Sequence, residues 1–195
     1  MFVLYALLAG LLVGRLLGGS LAGLAGLSIR WGPLIVAGLV VQVVLFSGPI
    51  AERVQEYGPF IYVGSTGAVL LAVLRNWRIA GLPLVALGAA SNAAAILANG
   101  GYMPAGAAAL AALGKAAPTV YSNSSVVAHP ALEPLTDIFA LPRFVPFANV
   151  FSLGDMLLAA GIALTIVVAM RTPLGATTSD GTPESGATPA PASGQ

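Results

Sequence analysis

Five apolar runs, almost free of charge, constrain this chain more than any other feature. They lie at about 1–18, 33–50, 60–74, 79–98 and 150–170. A hydrocarbon core of about 30 Å asks for roughly 20 helical residues, a length the fourth and fifth runs approach and the second and third reach least well. In lipid every backbone N–H and C=O must be bonded within its own segment, so these runs are expected to be helices. They lack the alternation of barrel strands. The expected fold class is therefore all-α, an integral membrane helical bundle of five transmembrane helices, with a short interfacial helix in the long loop before the last span. Composition agrees: 57% of residues are hydrophobic, 8% are charged and the mean hydropathy is +0.92, against about a quarter charged in soluble domains.

The totals exclude several classes of function. A net charge of +1 without a basic cluster supplies no means of neutralising a phosphate backbone, so nucleic acid is not an expected partner. With no cysteine and one histidine, the chain has no disulfide, no iron–sulfur cluster and no His- or Cys-rich metal site; no cofactor is expected. The partners in view are the lipid bilayer and either a second copy of the chain or another membrane protein.

Charge placement orients the spans. Arg15, Arg30, Arg75, Arg78 and Arg171 fall on one side of a five-span chain, and Arg53, Lys115 and Arg143 on the other. By the positive-inside rule the N-terminus is expected outside and the C-terminus inside, in a bacterial cytoplasmic membrane. The first run has no Lys or Arg ahead of it and reads as a retained helix rather than a leader. Residues 1–170 form the membrane domain in this reading. The Thr-, Pro-, Gly- and Ser-rich 171–195 segment is expected to be a disordered tail.

Packing signals sit inside the runs. Gly10, Gly14 and Gly18 recur every four residues, a ridge of small residues that predicts a close helix contact. On the fourth run Gly81, Gly88, Asn92, Ala95 and Asn99 share one helical face. Asn92 should seek an interhelical partner, for which Gln42 is a candidate.

The loop 99–149 is far longer than the ~12–15 residues at which a structureless connection becomes unusual, so it is expected to fold over the extracytoplasmic face. Gly100 and Gly101 permit left-handed backbone, and Pro104 can start a short Ala-rich helix ending near Leu113. Prolines 130, 134, 142 and 146 predict an extended, rigid cover beyond it. The candidate ligand face comprises Asn92, Asn99, Gly100, Gly101, Tyr102, Pro104, His129, Asp137, Asn149, Ser152 and Asp155. Ser152 and Asp155 also have capping-box spacing ahead of the last run. A hydrolytic arrangement of Ser122, Ser124 or Ser125 with His129 and Asp137 has no nucleophile-elbow motif behind it. Metal binding by Glu133, Asp137 and Asp155 has no ligand spacing behind it.

Three segments carry a resemblance: Gly14-Arg15 with Gly18-Gly19; Asn99-Gly100-Gly101-Tyr102-Met103-Pro104; and Asn149-Val150-Phe151-Ser152-Leu153-Gly154-Asp155. Asp137 followed by Leu141-Pro142 fits with them. Over about residues 1–170 the chain resembles the uncharacterised bacterial membrane family catalogued as domain of unknown function 5317. That resemblance implies a multi-pass bacterial membrane protein and brings no activity with it. The residues themselves favour a non-enzymatic protein binding a lipid, small solute or partner protein at its outer face. The alternatives are an enzyme acting on lipid-linked material and a transporter component formed by oligomerisation.

Overall fold

Prolines and glycines set the ends of the helices. The computed structural model describes residues 2–51, 53–54, 57–114, 124–125 and 127–172. The 173–195 part of the expected tail lies outside these, as do Lys115, Tyr121, Ser122 and Asn123. Helix α1 (Phe2–Leu16) stops where Gly18 turns to φ +80°, and a short α2 (Leu21–Ala25) follows. Three further helices carry Pro in their first turn, where a missing N–H costs nothing: α3 (Gly32–Leu45), α5 (Gly58–Leu74) and α6 (Leu82–Ala98). Between α3 and α5 lies the single turn α4 (Gly48–Ala51). Strand β1 (Met103–Pro104), α7 (Ala107–Leu113), β2 (Ser124–Ser125), a 3-10 turn at Glu133–Leu135, β3 (Phe139–Ala140) and β4 (Val150–Phe151) fill the long loop before α8 (Leu153–Arg171).

The fold is all-α with several apolar helices, and only small strand pairs accompany them. β1 runs parallel to β2, and β3 antiparallel to β4 with Phe139 opposite Phe151. Among the described residues one helix, α8, is long and apolar enough by itself to cross a membrane; α1, α3, α5 and α6 are shorter apolar helices.

Several expected limits shift for local reasons. The second run breaks after Leu45 instead of continuing to 50, since the Ser47-Gly48-Pro49 corner starts a new turn. Gly81, at φ +90°, delays the fourth helix from 79 to Leu82. Val150 and Phe151 pair as a strand, so the last helix begins at Leu153. Pro104 does not start the Ala-rich helix. It lies in β1, and Gly106 is the N-cap of α7.

In space the long helices follow the order α1, α8, α6, α5, α3. The approaches of Gly10 to Ala163 and of Gly14 to Met170 make α1 and α8 parallel. Gly81 faces Gly161 and Thr165 whereas Gly88 faces Gly154 and Leu158, so α6 and α8 are antiparallel. The α3–α5 pair is antiparallel too: Gly38 meets Val69, Gln42 meets Thr66, and Phe46 stacks edge-on against Tyr62.

Small residues mark the closest approaches of the helices, beside a core of Val73, Leu82, Val85 and Ala86. A Cβ at Gly88 would come within 2.5 Å of the Gly154 carbonyl, and one at Gly161 within 2.7 Å of the Gly81 carbonyl. Gly10, Gly14, Ala72, Ala89 and Ala95 are buried. Large apolar side chains point outward: Leu12, Leu16, Val43, Phe60, Leu71 and Leu97 are all more than 60% exposed. The glycine ridge thus packs within the chain, against α8. Gly18 is not part of that contact: nothing lies within 4 Å of where its Cβ would be, and Gly19 takes its place beside Met170.

Candidate functional site

Where α6 ends and α8 begins, three of the candidate side chains join in one hydrogen-bonded ring. Ser152 is the N-cap of α8, and its Oγ accepts from the Asp155 N–H at 3.0 Å while the Asp155 Oδ2 accepts from the Ser152 N–H at 3.2 Å. The spacing Ser-x-x-Asp allows this reciprocal cap, which satisfies two N–H groups that a helix start leaves unpaired. Across the seam Asn92 completes the ring. Its Nδ2 donates to Asp155 Oδ1 at 2.8 Å, and its Oδ1 accepts from Ser152 Oγ at 2.9 Å. Ser152 is fully buried and Asp155 half-buried.

Asn92 reaches this position because Gly154 has no side chain; a Cβ there would collide with the Asn92 amide. The expected pairing of Asn92 with Gln42 does not occur. Gln42 lies on α3, whose neighbour is α5, and its Nε2 donates to Thr66 Oγ1 at 3.3 Å.

A second clamp ties the loop to α6. Asn99 Nδ2 donates to the carbonyls of Ala95 and Ala131 at 2.7 and 2.9 Å, while its Oδ1 accepts from the Ala131 N–H at 2.9 Å. Gly100 and Gly101 turn the chain with φ of +71° and +90°, as their sequence suggests, and Gly101 closes against Pro59 at the start of α5. Pro104 is fully buried and Tyr102 half-buried.

Asp137 is buried, and its backbone pairs beside β1. Its N–H donates to the Pro104 carbonyl at 2.9 Å and its carbonyl accepts from Gly106 at 3.0 Å, a strand-like bridge beside the buried Thr136. The Asn149 carbonyl accepts from the Leu141 N–H at 3.1 Å. Tyr5, near the start of α1, donates through its hydroxyl to the Pro146 carbonyl, which draws the 142–148 segment over that end of the bundle.

The candidates therefore divide. Asn92, Ser152 and Asp155 meet; Asn99, Gly100, Gly101, Pro104 and Asp137 shape the cap above them. His129 and Glu133 are exposed on the same loop. The serines of the hydrolytic arrangement lie largely outside the described residues: Ser122 is not among them, and of Ser124 and Ser125 only the backbone pairing is described. Among the described residues no three of His, Cys, Asp and Glu gather as metal ligands.

Two polar anchors escape a reading of the sequence. Arg143 caps the C-terminus of α7, donating from Nε to Ala112 at 2.6 Å and from Nη2 to Ala111 at 2.9 Å. At the opposite end of the bundle Asn76 is buried; its Oδ1 accepts from the Arg30 N–H at 2.8 Å, and its Nδ2 donates to the carbonyls of Arg30 and Ala72, both at 2.7 Å. An asparagine flanked by Arg75 and Arg78 just beyond an apolar run was the available signal for this second anchor.

The Asn99–Pro104 turn and the Ser152–Asp155 cap both lie in the stretch that this chain shares with a known family. The model of a family of unknown function (DUF5317) matches residues 26–167. The chain belongs to this family. The matched stretch contains α3 through most of α8, including both turn and cap, but begins after the Gly14-Arg15 and Gly18-Gly19 segments. Neither a curated protein nor a solved structure matches the chain.

Proposed function

We propose that this member of the DUF5317 family is a bacterial multi-pass integral membrane protein whose α1, α3, α5, α6 and α8 all cross the bilayer. The observation that carries this reading is how size is distributed: Gly, Ala, Ser and Asn sit at the closest helix approaches beside a few buried Val, Leu and Ile, while most of the Leu, Val and Phe side chains of these helices lie on the outside. In water the hydrophobic effect places large apolar side chains inward. In lipid that drive is absent, and small residues at the contacts allow dispersion and interhelical hydrogen bonds to hold the helices. The helices alternate in direction, so Arg15, Arg30, Arg75, Arg78 and Arg171 lie at one end and the folded loop at the other. This supports N-terminus out and C-terminus in.

A reporter fused after Arg171 tests the topology; activity there of a reporter that works only outside the cytoplasm would reverse it. Alkaline carbonate extraction tests integration, and recovery in the soluble fraction would end the reading.

At the outer face the cap serves as a binding surface for a lipid, small solute or partner protein, and no catalytic step is assigned to it. The Ser152 hydroxyl gives its proton to an amide oxygen rather than to a base, and its burial denies it a substrate. By contrast Phe144 and Phe147 are 87% and 63% exposed on a cover pinned by Tyr5 and Arg143, a rigid apolar presentation that favours an apolar partner. Replacing both phenylalanines by Ser should leave insertion unchanged and abolish in-membrane cross-links from that loop. Unchanged cross-links would remove the cap from binding.

A further inference from the structure

The end opposite the cap holds a hollow of about 490 Å³ whose lining includes Arg30, Arg75 and Arg78, with Trp77 and Asn76 between them. Among the described residues no carboxylate lines it. Three guanidinium groups around one space repel each other, and Arg30 precedes the N-terminus of α3, where the helix dipole adds further positive potential. Arg75 follows the last turn of α5, so the dipole there accounts for one cation, and among the described residues no carboxylate lines the hollow beside the other two.

The walls are fixed rather than draped. Asn76 grips the Arg30 backbone from both sides, and Arg78 stacks over the Trp77 ring, 5.9 Å from its centroid. Next along the chain from Arg30, Trp31, Pro33 and Leu34 line a second, shallow apolar hollow of about 500 Å³. Both tryptophans of the chain thus stand exposed at this end. Trp favours the level of the lipid headgroups.

We propose that the arginine hollow binds the phosphate of an anionic phospholipid of the adjacent leaflet, with the acyl chains running past Trp31 and Leu34. Arginine suits this ligand because its planar fork meets two phosphate oxygens at once. The second, apolar hollow selects a lipid over a free phosphate, which would leave that surface unused. The proposal rests on the membrane reading above.

The test reconstitutes the full chain in nanodiscs of phosphatidylcholine mixed with phosphatidylglycerol and measures retained lipid by native mass spectrometry, with insertion followed separately by liposome flotation. Wild type should retain phosphatidylglycerol over phosphatidylcholine by at least about tenfold. The preference should vanish in Arg75→Gln/Arg78→Gln and persist in Arg15→Gln/Arg171→Gln, which removes the same charge from the same end outside the hollow. Equal loss in both pairs would show diffuse attraction to the surface and overturn the site. Full displacement by excess inorganic phosphate would overturn the lipid assignment. Inserted protein without lipid preference sinks the hollow alone, whereas protein that fails to float with liposomes sinks the membrane reading with it.

Discussion

The two ends of this bundle use polar residues in opposite ways. At the cap end Asn92, Asn99, Ser152 and Asp155 bond to one another or to backbone, and the bonds of Asn92 and of Asn99 to Ala131 join distant segments of chain. At the other end Arg30, Arg75 and Arg78 face a common hollow, and a single buried asparagine does the fastening. Mutually satisfied polar groups specify how segments dock, because leaving one unpaired in a low-dielectric interior costs more than its bond contributed. Charges without an internal partner contribute little to the fold and remain available to something outside it.

That contrast can be broken most forcefully along the α6–α8 seam, which joins the ends. Gly161→Val should lower stability by about 3 kcal/mol or prevent folding, because its Cβ would meet backbone atoms of Gly81 and Val85 at 2.7 Å. Thermal unfolding in detergent would measure it, and a wild-type midpoint would show that the helices can separate freely. Asp155→Ala comes next, at about 2 kcal/mol, since it strands the Asn92 amide and the Ser152 N–H together. Asp155→Asn should recover part of that loss, because an amide oxygen can still accept. Asn99→Ala should cost about 1–2 kcal/mol and raise amide exchange around Ala131 before exchange in α8 changes. At the arginine end Arg75→Gln should change stability by less than about 0.5 kcal/mol, the scale of ordinary surface substitutions. A cost there as large as that of Asp155→Ala would erase the contrast between the ends. The finest comparison pairs two serines. Ser91 Oγ is buried without a partner among the described residues, so Ser91→Ala should be neutral or slightly stabilising, whereas Ser152→Ala should destabilise by about 1–2 kcal/mol.

Much of the local structure was legible because its signals lie close together in the chain. The Gly100-Gly101 turn, the capping spacing of Ser152 and Asp155 and the close-packing ridge at Gly10 and Gly14 each depend on residues a few positions apart. Gln42 misled for the converse reason: an amide in an apolar run announces a need for a partner but says nothing of which helix stands beside it. Gly18 fits the four-residue period yet lies past the helix, where the period no longer applies.

By itself the sequence determined the helical class, the approximate runs, the membership of a family and the segregation of arginines, since all four follow from composition, period and order along the chain. Only the tertiary structure decided that α8 stands between α1 and α6, that Asn92 closes the ring with Ser152 and Asp155, and that Asn76 holds Arg30 beside Arg75 and Arg78. Those pairings join residues dozens of positions apart, and small-residue seams offer many surfaces of similar shape. Which seams meet is settled by the combined geometry of all the helices, a quantity no single stretch of sequence contains.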